Sequence, residues 1–302
     1  MTLPKPGRPI DYNDPTLCMG QHFIALICMC DMQVNKKTEC HNRTYSGWLL
    51  EMHGQLFWVT AGHCLRDLDK NIENGTYKLV GSQFMDCFGY RAEHLESVPF
   101  TYEPGCGFFI FDKSTGFDFG LIKLSQMYRD LFATNKNIPI TRKNWVHIPN
   151  LSFDFYRMFG IPEDCVYESE GQNGVPKVSV KTALMAVSRI TLEEAREECT
   201  DSIILSDGSF DSDEWFVGKM DAGTGKQTIK GMSGGPIYGF RYLENGQLSY
   251  HVVALQSWWD KKPRNIFGCP VPYFAEKLYQ AMEWALDDLA VDDKDVGDDA
   301  SK

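Results

Sequence analysis

Short apolar runs separated by turn material dominate the first half of the chain. Gln21 to Met32, Ser46 to Met52 and Gln55 to Thr60 are such runs, with Asn35-Lys36-Lys37 and His53-Gly54 between them, and the pattern predicts a β meander. Tyr77 to Val80, Phe108 to Phe111 and Phe119 to Leu124 read as further strands, and together these make one small antiparallel barrel. A polar connection from Ser125 to Asn144 leads to a second set: Arg157 to Ile161, Val178 to Val187, Ile203 to Leu205, Pro236 to Tyr242 and His251 to Trp258. Helical spacing is scarce until the end. Thr191 with Glu194 three residues on forms a cap-like pair, predicting a short surface helix from Thr191 to Cys199. From Tyr273 to Leu289 the residues Phe274, Leu278, Ala281, Met282, Ala285 and Leu286 fall on one stripe behind Pro272, which predicts a helix packed on the core.

A chain of 302 residues, 43% hydrophobic, is long enough for one large or two small globular domains. No run of about 18 uncharged apolar residues exists, so no helical membrane span is expected. The segment Met1 to Pro9 has no apolar h-region and reads as a polar arm, from which we expect a cytoplasmic protein. The formal charge of −11 is concentrated in two places: residues 191–215 carry −8 and residues 287–302 carry −5, leaving +2 elsewhere. A near-neutral body with acidic appendages is no surface for nucleic acid.

The chemistry lies in three short segments. Trp58-Val59-Thr60-Ala61-Gly62-His63-Cys64 delivers a histidine into a tight turn, Asp118 opens Asp118-Phe119-Gly120-Leu121-Ile122, and Gly231-Met232-Ser233-Gly234-Gly235-Pro236 presents a glycine-flanked serine. A serine hydroxyl becomes a nucleophile near neutral pH when an imidazole takes its proton, and a carboxylate fixes the imidazole's tautomer and stabilises its cation. Each segment alone is a weak signal, since a lone histidine is usually a core residue and a glycine-flanked serine usually a turn. All three in this order point to a hydrolytic triad of His63, Asp118 and Ser233. The glycines fit that role, because the backbone N–H groups of Gly231 and Ser233 must converge on the developing oxyanion.

On these motifs the chain resembles the trypsin-like, chymotrypsin-fold serine peptidases, particularly bacterial members without an activation peptide, over about Phe23 to Leu286. The resemblance implies an all-β fold of two antiparallel Greek-key β-barrels with the active site between them, plus a C-terminal α-helix. It divides the chain into an N-terminal arm (1–20), a first barrel with His63 and Asp118 (21–135), a second barrel with Ser233 and the acidic insertion 191–215 (136–272), the helix (273–290) and an acidic, disordered tail (291–302). It implies a serine endopeptidase working through an acyl-enzyme on a protein or peptide substrate, with no cofactor and no metal.

The departures from the family pattern carry information too. Secreted relatives pair the cysteine after the catalytic histidine with one about sixteen residues earlier, but Thr44-Tyr45-Ser46-Gly47-Trp48 holds no partner for Cys64, and Ile229 stands where a second bridge cysteine would be. The ten cysteines are therefore expected as free thiols. Cys28-x-Cys30 with Cys40-His41 is a zinc candidate, outweighed because positions 28 and 30 simply share one strand face. Met232 occupies the place of the aspartate that zymogen-activated relatives pair with a freed amino terminus. Control, if any, then falls to loop ordering or an activating or regulatory protein partner.

By offset from Ser233, the family's specificity-pocket floor falls on Gln227 and Thr228, with Lys230 at the lip and Ser257, Trp258 and Trp259 as the wall. A floor without a carboxylate disfavours Arg or Lys before the scissile bond and favours polar or acidic residues there. Trp259, replacing a family glycine, either narrows or closes the cleft or packs against the barrel beside it. A silent or autoinhibited peptidase fold acting as a binding module is the alternative reading. Gly223-Thr224-Gly225-Lys226 fails as a phosphate loop for want of the first glycine and the final hydroxyl, and no nucleophile elbow supports an α/β-hydrolase esterase.

Overall fold

The computed structural model describes residues 15–34, 37–87, 97–112, 117–145, 152–170, 176–198, 215–221, 228–262 and 264–295. The protein is all-β in class. Its second half is a closed antiparallel barrel of six strands: β9 (Phe155–Gly160), β12 (Ala183–Arg189), β13 (Phe216–Met220), β14 (Pro236–Tyr242), β15 (Leu248–Asp260) and β16 (Asn265–Pro270), in the order β12-β13-β16-β15-β14-β9. Met158, Met185, Val187, Phe216, Ile237, Ala254 and Ile266 fill one buried cluster of this half. A hairpin of β10 (Val166–Glu170) and β11 (Pro176–Val180) stands apart from the barrel. The apolar stretch Val178 to Val187 is thus two strands, split at residues 181 and 182.

The first half differs from the expected barrel in being two four-stranded sheets. One has the order β2-β1-β5-β6, from β1 (Ala25–Val34), β2 (Lys37–Tyr45), β5 (Lys78–Met85) and β6 (Ser97–Pro99). The other has the order β3-β4-β8-β7, from β3 (Trp48–Met52), β4 (Gln55–Thr60), β7 (Gly107–Asp112) and β8 (Phe117–Leu124). The chain changes sheets at Ser46-Gly47, and a Phe23–Trp48 bridge ties them together. Between the sheets lie Ile24, Leu26, Leu49, Trp58, Phe84, Ile122 and Phe132, all buried. Cys28 and Cys30 belong to the same cluster. Burying this many large side chains supplies the driving force, at roughly 1.5–3 kcal/mol each.

Four helices escaped the sequence reading, two of them the short α1 (Pro15–Gly20) and α4 (Arg142–Trp145). α2 (Gly62–Glu73) follows β4 directly and buries Leu65 and Leu68, while α3 (Gln126–Thr134) lies within the supposed polar connection and buries Phe132. The short helix Leu192–Glu198 has the expected capping box, in which the Thr191 N–H donates to Glu194 Oε2 (2.7 Å) and the Glu194 N–H donates back to Thr191 Oγ1 (3.1 Å). Residues 199–214 of the acidic insertion, with Ile203 to Leu205, lie outside the described residues. The C-terminal helix runs Val271–Asp295, starting two residues before the sequence reading and continuing five beyond it. Phe274 stacks on Phe119 at 4.3 Å, so this helix packs on the strand that carries Asp118. The nine cysteines among the described residues are free thiols, and no described helix is long and apolar enough to cross a membrane.

Candidate active site

β4 ends at Thr60 and α2 begins at Gly62, so His63 sits in the first turn of a helix whose entry is fixed by a buried strand. Asp118 is the second residue of β8, the neighbour of β4 in the sheet. Its carboxylate is almost wholly buried and holds the histidine twice: the His63 backbone N–H donates to Oδ1 at 2.8 Å, and the ring Nδ1 lies 2.7 Å from Oδ2. Both oxygens are used, and ring and main chain are locked together. With Nδ1–H donating to the carboxylate, Nε2 is left as the proton acceptor.

Ser233 comes from the other half. It lies in the turn between Ile229 and β14, partly exposed, and its carbonyl oxygen is 3.9 Å from Cys64 Sγ, next to the histidine in sequence. Two glycines make the approach possible. At Gly234 (φ +88°) a Cβ would collide with Thr60 Oγ1 and the Ser46 carbonyl, and at Gly231 (φ +92°) it would lie 2.8 Å from the Glu163 nitrogen. No hydrogen bond joins the His63 and Ser233 side chains, a common condition of catalytic pairs before substrate binds.

The orientation of the 230–231 peptide follows from one bond. The Glu163 N–H donates to the Lys230 carbonyl at 2.6 Å, and in a trans peptide the Gly231 N–H then points the opposite way, away from Glu163. Ser46 Oγ donates to the Gly231 carbonyl (3.1 Å) and accepts from the Ile161 N–H (3.0 Å), pinning the next peptide as well. Met232 is fully buried against Ile229 and Met158. This turn is held by apolar packing and neutral hydrogen bonds. Ser46→Ala is expected to cost about 1–3 kcal/mol of stability, by orphaning two backbone groups, and to lower kcat more than it changes KM. Thermal unfolding and steady-state kinetics would check both, and unchanged kcat would mean the turn holds without Ser46.

The register of β15 with β16 shifts between Gln256 and Trp258, a β-bulge in β15. Ser257 is buried at the bulge with no side-chain hydrogen bond among the described residues. Trp258 packs beside the histidine ring, 5.7 Å between centroids, and touches Phe111, which also meets His63 at 6.0 Å. Trp259 turns the other way and packs on the cluster containing Ile229 and Met232. Thr228 is part-buried and its hydroxyl accepts from the Lys230 N–H; Lys230 is exposed and pairs with Glu163 at 2.7 Å. Gln227 lies outside the described residues. Sequence reasoning missed Ser46, Phe111 and Glu163.

Burial works against a charged His63. The Cys64 sulfur and the Asp118 carboxylate against the ring outweigh it, and hold the imidazole pKa well above its ordinary 6.5. A general base must be neutral, so if His63 serves as one, kcat/KM rises with pH and inflects above 6.5. A wild-type inflection at or below 6.5 would contradict this environment. On stability the sign is the reverse: the raised pKa contributes fully below the unfolded-state value, and the contribution is lost as pH rises through the folded one. Among the described residues no three His, Cys, Asp or Glu side chains converge as a metal site.

No protein-family model matches the chain, and no curated protein matches it. Among the solved structures that match the chain, two are as follows. A thermostable serine protease, AL20, from an extremophilic microorganism shares 15% identity, with 89% of this chain and 98% of that chain covered at a TM-score of 0.43. The protease Anisep from Arthrobacter nicotinovorans shares 14% identity, with 83% and 90% covered at 0.40.

Proposed function

We propose that the protein is a serine endopeptidase. The observation that carries the reading is the two-point grip of Asp118 on His63, with Ser233 brought against the same helix turn from a segment 170 residues further along the chain. Ser233 Oγ attacks the peptide carbonyl as His63 Nε2 takes its proton; the N–H groups of Gly231 and Ser233 receive the oxyanion; His63 returns the proton to the leaving amine, and water repeats the sequence on the acyl-enzyme. The substrate is a protein or peptide, and the free thiols favour a cytoplasmic setting. Labelling by a fluorophosphonate tests the reading. Labelling of the wild type and not of Ser233→Ala is expected; an unlabelled wild type, or labelling that survives the substitution, refutes it.

Trp259 favours a second reading, in which the fold binds a partner and turns over slowly or not at all. Its indole lies against Ile229 and Met232, in the turn that leads to the serine. If the indole throttles the cleft, Trp259→Gly should raise kcat/KM for peptides with a large residue before the scissile bond by about ten-fold or more. A fall in activity would show that the indole only supports the turn.

A further inference from the structure

The hydrogen bond to Asp118 fixes one corner of the His63 ring. Nδ1 lies 2.7 Å from the carboxylate, which sets the position of that atom but not, by itself, the plane of the imidazole. The side chain keeps 20% of its surface exposed, so the ring has an open side toward which rotation about its side-chain bonds can carry it. Nε2 lies across the ring from Nδ1 and moves furthest when the plane tilts. A misplacement of about 1 Å at a reacting group costs about 10²-fold in rate, so something must hold the plane.

Two aromatic rings are placed to do so. Phe111 meets the imidazole edge-on, 6.0 Å between centroids at 68°, and Trp258 lies beside it at 5.7 Å and 31°. Phe111 and Trp258 are themselves 5.7 Å apart, so the three rings pack as a triangle at separations typical of attractive aromatic pairs. Phe111 stands directly opposite Asp118 in the β7–β8 pair, and opposed residues of antiparallel strands project to the same face. One pair of strands therefore supplies both the carboxylate that bonds the imidazole and the ring that abuts it. Phe111 is held in turn by α2: Arg66, three residues after His63, places its guanidinium 3.8 Å from the centre of the Phe111 ring. Trp258 comes from β15 in the other half of the molecule.

We propose that Phe111 is a positioning residue, which together with Trp258 holds the plane of the His63 imidazole on the Asp118 carboxylate and so keeps Nε2 in one direction. The use made of Nε2 rests on the peptidase reading. The hold on the ring does not, and it is tested without turnover.

Phe111→Leu keeps most of the apolar volume and removes the ring pair. The first measurement is the rate at which the His63 Nδ1 proton exchanges with water, read by NMR on isotopically labelled histidine in the Ser233→Ala protein, with the resonance assigned by its loss in His63→Ala. Exchange should run about 3- to 10-fold faster in Phe111→Leu, the factor that one aromatic pair is worth. In the protein with Ser233 intact, the same substitution should lower kcat by a similar factor and leave KM within about two-fold, because Phe111 acts through His63 and not on the substrate. A role in folding alone would lower the unfolding temperature and leave the exchange where it is. Should Phe111→Leu unfold, Trp258→Leu decides by the same exchange rate. Unchanged exchange, or a raised KM with kcat unaltered, would overturn the proposal. A wild type that hydrolyses nothing while Phe111→Leu still speeds the exchange refutes the peptidase reading and leaves the hold on the ring in place.

Discussion

Ser233→Ala is expected to lower kcat by about 10⁶ while the unfolding transition stays where it is. Ser233 is partly exposed and sits in a turn, so removing its hydroxyl leaves no core cavity to destabilise the fold. What survives is the slower hydrolysis that oxyanion stabilisation and substrate positioning still promote, about 10³–10⁴ over water. Single-turnover assays at enzyme excess, beside a calorimetric melt, check both halves of the expectation. Turnover near the wild-type rate would remove Ser233 from the mechanism.

Asp118→Asn should cost up to about 10⁴ in kcat, and its interest lies in what it preserves. An asparagine carbonyl can still accept the His63 backbone N–H now held by Oδ1 at 2.8 Å, so the helix entry keeps its anchor. The amide nitrogen then faces Nδ1 and donates to it, which places the ring proton on Nε2, where it blocks proton uptake from the serine. A large drop in kcat with an unshifted melting temperature is the expected signature. An unaffected rate would mean that another group orients His63.

The parts legible in the sequence were those whose pattern and burial agree locally. Gln55–Thr60 and Pro236–Tyr242 were found residue for residue, because each is a short, almost continuously buried run between turns. β2 (Lys37–Tyr45) was missed because its polar sequence shows no alternation; its conformation comes from pairing with β1 along its whole length. In α2, Leu65, Leu68 and Ile72 recur at helical spacing, but the Gly62-His63 turn motif masked the signal. The candidate residues His63, Asp118 and Ser233 could be picked out because the proposed chemistry restricts their types. Ser46 was not: its partners Gly231 and Ile161 lie 185 and 115 residues away, and no local pattern reports such a contact.

Under the proposed mechanism, the seam at Gly234 makes hydrolysis a gauge of how the two halves sit. Thr60 donates to the Ser46 carbonyl at 2.8 Å, and Gly234 presses its backbone against both, so the segments that carry His63 and Ser233 share a joint with no side-chain cushion. A shift of about 1 Å across such a joint is enough to cost 10²-fold in rate, far less movement than either half needs to lose its own core. In mild denaturant, hydrolysis should therefore fade at concentrations where tryptophan fluorescence and circular dichroism still report native structure, and it should return at once on dilution.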